Sequence, residues 1–370
     1  MQGVRKYGRR VEEGRRLQSF TDAGKDALEH FEEFGAMVLR GLLDPDTAFR
    51  PVFDEYSALL DRLAAEWLSD GTLTEYNAQQ PFEDRLLNVQ RGTHGAYQGH
   101  FDITLNPYLT DPPAFRPDSP MHTGPAVFGF LRNPCLLDAV EAVVGPEIYC
   151  APVQHVRIKA PEQFLPGWER TPLTGASFWH QDLAVVNEDA DRTNMVSVFV
   201  AVSDVTEQNG CLLVIPGSHR RGLVHHCRTR TANGIPDRLL GAVEPQPVPM
   251  QAGDVLFLHR MTFHSSLPNR SSTLRWSFDL RYCPVGQPTG RAFFPGFVAR
   301  SKADPASVLV SHRAWADSWE HARARLGSIP MPRYTRWNPE NSGECTECSS
   351  HASIEGEGIF LTGPNRVGRS

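Results

Sequence analysis

Apolar positions recur along this chain with two periods. Between residues 22 and 35, Leu28, Phe31 and Phe34 share one face at helical spacing, and the pattern stops at Gly35. Ala36-Met37-Val38-Leu39-Arg40 then predicts a short strand. From Asp44 to Leu68, Phe49, Phe53, Leu59, Leu60, Leu63 and Trp67 predict an amphipathic helix, with Pro51 tolerated near its start. Residues 76 to 125 are rich in Gly, Pro, Asn and Gln and predict a long irregular segment, of the kind that serves as a lid. Leu137 to Val144 predicts a helix ended by Gly145, and Ile148 to Lys159 alternates as a strand that puts His155, Arg157 and Lys159 on one face.

Beyond residue 176 the period becomes two. Ser177 to Leu183 reads as a strand, as do Met195 to Ala201 and Val255 to His259, the last entered through a Gly253-Asp254 turn. In the strand from Arg275 to Tyr282, Arg275, Ser277, Asp279 and Arg281 fall on one face and Trp276, Phe278, Leu280 and Tyr282 on the other. Such a strand lines a polar cavity and packs its back on helices. Ala314 to Leu326 predicts a last helix with Trp315 and Trp319, followed by a polar tail. A single domain over 1–370 is expected: an arm (1–20), helical decoration and lid (21–150), a β core (151–283), loops and a helix (284–340) and the tail (341–370).

The formal net charge of -6 argues against a general nucleic-acid binder. No apolar run approaches a membrane span or follows Arg9-Arg10 and Arg15-Arg16, so neither a membrane segment nor an export signal is expected. Seven cysteines, an odd number set mostly in apolar segments, predict reduced thiols and a cytoplasmic protein. Cys345-Thr-Glu-Cys348 with His351 has the spacing of part of a zinc site; a mobile tail is the alternative. Four lysines stand among thirty-three arginines.

The chemistry gathers around Phe178-Trp179-His180-Gln181-Asp182. On a strand His180 and Asp182 point the same way and can share one metal ion, and two histidines with one carboxylate and open positions suit non-haem Fe(II). The second histidine must come from elsewhere, and His259 and His264 both follow the Gly253-Asp254 strand. A rival pair, His100-Phe101-Asp102, has no strand run before it; it reads as a substrate contact or a structural loop. His155 and its neighbour Gln154 face either the co-substrate and substrate or solvent at a sheet edge. The adjacent His225 and His226 read as part of a solvated loop.

His180-Gln181-Asp182, the run Asn209-Gly210-Cys211-Leu212-Leu213-Val214-Ile215-Pro216-Gly217-Ser218-His219, Gly253-Asp254-Val255-Leu256-Phe257, and the stretch from His264 to Arg275 occur in the order of the phytanoyl-CoA dioxygenase family, which this sequence resembles over residues 150 to 283. The resemblance implies a mainly β fold with flanking α-helices, a double-stranded β-helix of the jelly-roll or cupin kind. It implies Fe(II) held by His180, Asp182 and His264, since the family's distal histidine stands eleven residues before its arginine. It further implies 2-oxoglutarate held at its distal carboxylate by Arg275 and Ser266, with Phe199, where the family often has Trp, against the co-substrate or simply in the core. The implied reaction consumes O2 and 2-oxoglutarate, releases succinate and CO2, and hydroxylates, desaturates or cyclises at an unactivated C–H bond. A small-molecule substrate, of secondary metabolism among other sources, is expected, with Arg157 and Arg281 either pairing its carboxylate or phosphate or held in structural ion pairs. Related halogenases have Ala or Gly at the carboxylate position, so Asp182 argues against halogenation. A cupin-type isomerase or hydrolase is the competing reading, and it would have no use for Arg275.

Overall fold

The strand from Arg275 becomes the centre of the molecule. The structure is a computed structural model that describes residues 19–20, 25–93, 95, 97–110, 112–164, 175–228 and 233–337. In chain order its strands are β1 (Ser19–Phe20), β2 (Ala36–Leu39), β3 (Ile148–Cys150), β4 (His155–Lys159), β5 (Val196–Ala201), β6 (Leu212–Val214), β7 (Cys227–Arg228), β8 (Asn233–Gly234), β9 (Gln246–Val248), β10 (Val255–His259), β11 (His264–Ser266), β12 (Arg275–Pro284) and β13 (Phe297–Arg300). The main sheet runs β1-β2-β10-β5-β12-β3-β13, with β4 also paired to β12; a second sheet runs β11-β6-β9. β12 pairs antiparallel with β5 on one side and with β4 and β3 on the other, with Ser277 opposite both Ala201 and Arg157.

The two faces of β12 meet different environments, as the alternation predicts. Trp276, Phe278, Leu280 and Tyr282 join the valines of β5 in the larger core, against helices Arg50–Asp70 and Pro125–Leu131. Tyr56 meets Trp276 edge-on at 5.3 Å and Phe130 lies 4.7 Å from Phe278. Burying such side chains contributes about 1.5–3 kcal/mol each. On the inner side Phe199, Leu256 and Leu258 of the main sheet face Leu212, Val214 and Val248 of the second sheet. Two facing sheets, antiparallel except for the short β1–β2 pair and closed in this way, are the double-stranded β-helix, mainly β with helices on the outside.

The glycines of the motifs hold the turns. Gly253 has φ 91°, and a Cβ there would lie 2.2 Å from the Leu43 carbonyl oxygen. Its neighbour Asp254 accepts from the Gly41 and Gln251 amides and pairs with Arg40, which fastens β2 to β10. Gly210 has φ 96° and passes so close to the Leu267 carbonyl that a Cβ would sit 2.7 Å from it.

Several expectations are corrected. The segment 76–125 is not wholly irregular: it contains helices Phe82–Thr93 and Tyr97–Phe101. The first is held by buried Arg85, which bonds Asp61 and Ser57 of the helix Arg50–Asp70 and Tyr76 of the loop that follows it, contacts that leave no local periodicity. The helix expected over 44–68 is two, Pro45–Ala48 and Arg50–Asp70, and the strand expected over 148–159 is interrupted between β3 and β4. Cys135, Cys150, Cys211 and Cys283 are free thiols, whereas Cys227 is disulfide-bonded, against the expectation of seven reduced cysteines. No helix among the described residues is long and apolar enough to cross a membrane. Cys345, Cys348 and His351 lie outside the described residues.

Candidate active site

Ser177 to Leu183 is not a continuous strand. His180 makes an isolated bridge with His264, exchanging both backbone hydrogen bonds (2.9 and 3.1 Å), and Asp182 opens a 3-10 turn over Asp182–Val185. The bridge sets the two imidazoles side by side, with ring centroids 4.2 Å apart. The turn brings Asp182 to them: Oδ1 lies 3.9 Å from His180 Nε2 and Oδ2 3.9 Å from His264 Nε2. His180, Asp182 and His264 are the one such group of potential metal ligands among the described residues, with ligand atoms all within 4.8 Å of one another. His259, the competitor, instead accepts from the Met261 amide and packs on His219.

The surroundings of this cluster select its protonation states. His180 Nδ1 donates to the Phe178 carbonyl (2.8 Å) and His264 Nδ1 to the Thr262 carbonyl (3.0 Å), so both Nε2 lone pairs are turned toward the shared centre. Burial, with the neighbouring His264, pulls the His180 pKa down to about 4. Burial alone would raise the Asp182 carboxyl, but the Arg281 guanidinium bonded to it and the two histidines hold it well below the usual carboxylate range. Neutral imidazoles and an ionised carboxylate are the forms that bind a divalent metal at neutral pH. The donor set fits Fe(II).

The residue between the ligands is fixed from behind. Gln181 is fully buried; its side chain donates to the Gly222 and Met261 carbonyls and accepts from the Val224 amide. Its own amide donates to His226 Nε2 at 3.0 Å. His226 is therefore not in a solvated loop: it is fully buried, stacks on Trp337 and bonds the Val224 carbonyl through Nδ1. Burial pushes its pKa down to about 3, so it remains a neutral acceptor. Adjacent histidines in a polar stretch carried no signal of this.

A second charged group forms the floor of the same cavity. Arg275 is 1% exposed, its Nη1 bonds Ser277 at 2.8 Å, its Nε has no partner among the described residues, and its guanidinium lies 5.4 Å from the Phe199 ring centroid. Lys159, also 1% exposed, donates to Ser266 Oγ (2.6 Å) and the Leu267 carbonyl (3.2 Å). Ser266 Oγ also accepts from the Ser177 amide at 2.9 Å. Neither cation has a carboxylate within ion-pair distance among the described residues. Burial lowers both, Arg275 to about 10, and Arg275 adds to the depression of Lys159. Two buried cations, each bonded to its own serine and without a counter-anion among the described residues, could seat an external carboxylate. Arg275, Ser266 and Phe199, expected together from the sequence, all line this cavity, whereas Lys159 was expected only as one member of a strand face; its rank among only four lysines was the available signal.

The remaining expected residues divide. His155 lines the cavity, and its Nδ1 bonds Asp102 Oδ2 at 2.8 Å. Asp102 does not line that cavity, because its other oxygen accepts from the Ile103 and Val156 amides; it positions His155. His100 lies away, edge-on to Trp67 at 5.8 Å. Gln154 is a buried clamp between strands, bonding the Arg281 backbone in both directions. Arg157 pairs with Asp279 at 2.9 Å and lines the cavity, as does Arg281.

A facial group of two histidines and a carboxylate, set in a double-stranded β-helix beside a cationic seat, defines the class of non-haem iron oxygenases that take a 2-oxoacid. Within it the chain belongs to the phytanoyl-CoA dioxygenase family, whose model matches residues 31–277 and whose enzymes use Fe(II), 2-oxoglutarate and O2. Methylphosphonate hydroxylase from Gimesia maris is 38% identical over 90 residues, which are 24% of this chain and 33% of that protein. 1-Deoxypentalenic acid 11-beta-hydroxylase from Streptomyces arenae is 25% identical over 72% of this chain and 83% of its own length. The chain thus spans about a third of the length of the first of these relatives. Among solved structures, the non-heme monooxygenase ThoJ is 18% identical with a TM-score of 0.49, covering 81% of this chain and 97% of ThoJ.

Proposed function

We propose that the protein is an Fe(II)/2-oxoglutarate-dependent dioxygenase that hydroxylates an unactivated C–H bond of a small molecule, releasing succinate and CO2. The observation that carries this is a single cavity of about 830 Å³ joining the His180, Asp182 and His264 cluster to the Lys159, Arg275 and Ser266 seat. That volume suits a small-molecule ligand with a co-substrate. Iron with 2-oxoglutarate and O2 supplies the oxidising power when bound.

The protein's own residues bind and orient. His180, Asp182 and His264 would hold the metal, Arg281 keeping Asp182 ionised and His226 and Gln181 fixing the backbone between the ligands. Arg275 and Lys159 would grip the distal carboxylate of 2-oxoglutarate, with Ser266 turning its hydroxyl proton to it from Ser177 Oγ, 2.9 Å away, and Phe199 walling the chain. His155, oriented by Asp102, and Arg157 face the space left for substrate. Kinship with hydroxylases such as the pentalenic acid enzyme supports hydroxylation over desaturation or ring closure. An isomerase or hydrolase on the same barrel would leave the Arg275 and Lys159 seat without purpose.

The test is product formation: Fe(II)-loaded protein incubated with 2-oxoglutarate in air should release succinate above a metal-free control. Succinate at control level, with iron and 2-oxoglutarate both shown to be bound, would sink the proposal.

A further inference from the structure

The cavity carries more positive charge than the co-substrate can use. Five cationic side chains line it, Arg157, Lys159, Arg275, Arg281 and Arg291, against two carboxylates, Asp182 and Asp279. A bound divalent metal offsets the two carboxylates, and the two carboxylates of 2-oxoglutarate offset two of the cations. Three positive charges remain.

Part of that surplus stands on one wall. Arg281 and Arg291 both brace the 3-10 turn Asp182–Val185: Arg281 bonds the Asp182 carboxylate at its start, and Arg291 bonds the Val185 carbonyl at its end. Arg291 is 3% exposed and Arg281 7% exposed. Arg291 has no carboxylate partner among the described residues, and its Nε is unbonded, as are Nε and Nη1 of Arg281. The Arg291 guanidinium lies 4.1 Å from the centroid of the Tyr334 ring, which in turn meets Tyr108 edge-on at 5.6 Å, so the group is held in place rather than free to reach solvent. Buried guanidinium donors left unmade are costly, and an anion entering the cavity would satisfy them. Arg281 lies six residues from Arg275 along β12, about 20 Å at a strand's rise, so this wall is separate from the co-substrate seat.

We propose that the substrate carries an oxyanion group, carboxylate or phosphoryl, that seats against Arg291 and the unsatisfied nitrogens of Arg281. This deepens the oxygenase reading and rests on it for calling the bound molecule a substrate. Arg291 then sets specificity and the placement of the target carbon; it does not touch the metal ligands.

The test uses protein loaded with redox-inert Ni(II) and saturating 2-oxoglutarate, and measures Tm against sulfate and against acetate, with chloride at equal ionic strength as reference. A saturable rise with at least one oxyanion is expected, and Arg291→Gln should move its half-saturation at least tenfold upward while leaving 2-oxoglutarate affinity within twofold. A response to sulfate alone marks a phosphoryl-sized group, and one to acetate alone a carboxylate. Arg291→Lys, which keeps the charge, should retain a weakened response and serves if the Gln variant does not fold. The proposal is overturned if neither oxyanion exceeds chloride, if saturating 2-oxoglutarate abolishes the response, or if the Arg291 variants respond as the parent does. Should 2-oxoglutarate fail to bind the unsubstituted protein, the oxygenase reading fails, yet the Arg291-dependent anion response is still read without it.

Discussion

Asp182→Ala is expected to do two separable things: weaken Fe(II) binding by about 100-fold or more and destabilise the metal-free protein by about 3 kcal/mol. The first follows from losing one of three ligands. The second follows from Arg281, which is 7% exposed and whose guanidinium has Asp182 as its one hydrogen-bonded partner among the described residues; without it a buried cation is left with no acceptor. The double variant Asp182→Ala/Arg281→Met removes the stranded charge and should recover most of the stability but none of the metal affinity. Denaturant unfolding in the presence of chelator, with calorimetric metal titration, reads both. If the single and double variants are equally unstable, Arg281 does not depend on Asp182 as argued.

Opposite signs are expected at the cavity floor. Lys159→Met should leave the ligand-free protein as stable as the parent or more so, by up to about 2 kcal/mol, because it replaces a buried cation bonded only to neutral acceptors by an apolar side chain of similar length. The same change should weaken 2-oxoglutarate at least tenfold. Arg275→Ala should weaken it about 100-fold, since it deletes the bidentate donor. A residue whose loss stabilises the empty protein and harms ligand binding is one kept for the ligand. A Lys159→Met variant that unfolds readily and still binds 2-oxoglutarate normally would mean that Lys159 is structural.

Which parts of this site could be read in the sequence depends on how local the determining physics is. The alternation over Arg275 to Tyr282 is local, and it correctly separated the cavity face from the helix-packing face of β12. Arg275 and the potential metal ligands His180, Asp182 and His264 could be picked out because motif order places them along the chain, and they do line one cavity. The 3-10 turn at Asp182 was not: it is imposed by the Arg281 pairing, by the His180 bridge to His264 and by the bond from Leu183 to the Arg260 carbonyl, all distant in sequence. His226 and Arg291 were missed for the same reason. Each lies in a stretch without hydrophobic period, and each acquires its role from partners 45 and 106 residues away. His100 and Asp102 show the converse, a legible spacing whose members serve different ends, one against Trp67 and one holding His155.

The most direct measurement is an anaerobic titration of metal-free protein with Fe(II) and then 2-oxoglutarate, followed by visible absorption for the charge-transfer band of a chelated 2-oxoacid. The account predicts a saturable band in the parent, none in Asp182→Ala, and a band in Arg275→Ala only at about 100-fold higher 2-oxoglutarate. Iron binding without a band at any 2-oxoglutarate concentration would contradict it and leave a cupin-type isomerase or hydrolase as the better reading of the same barrel.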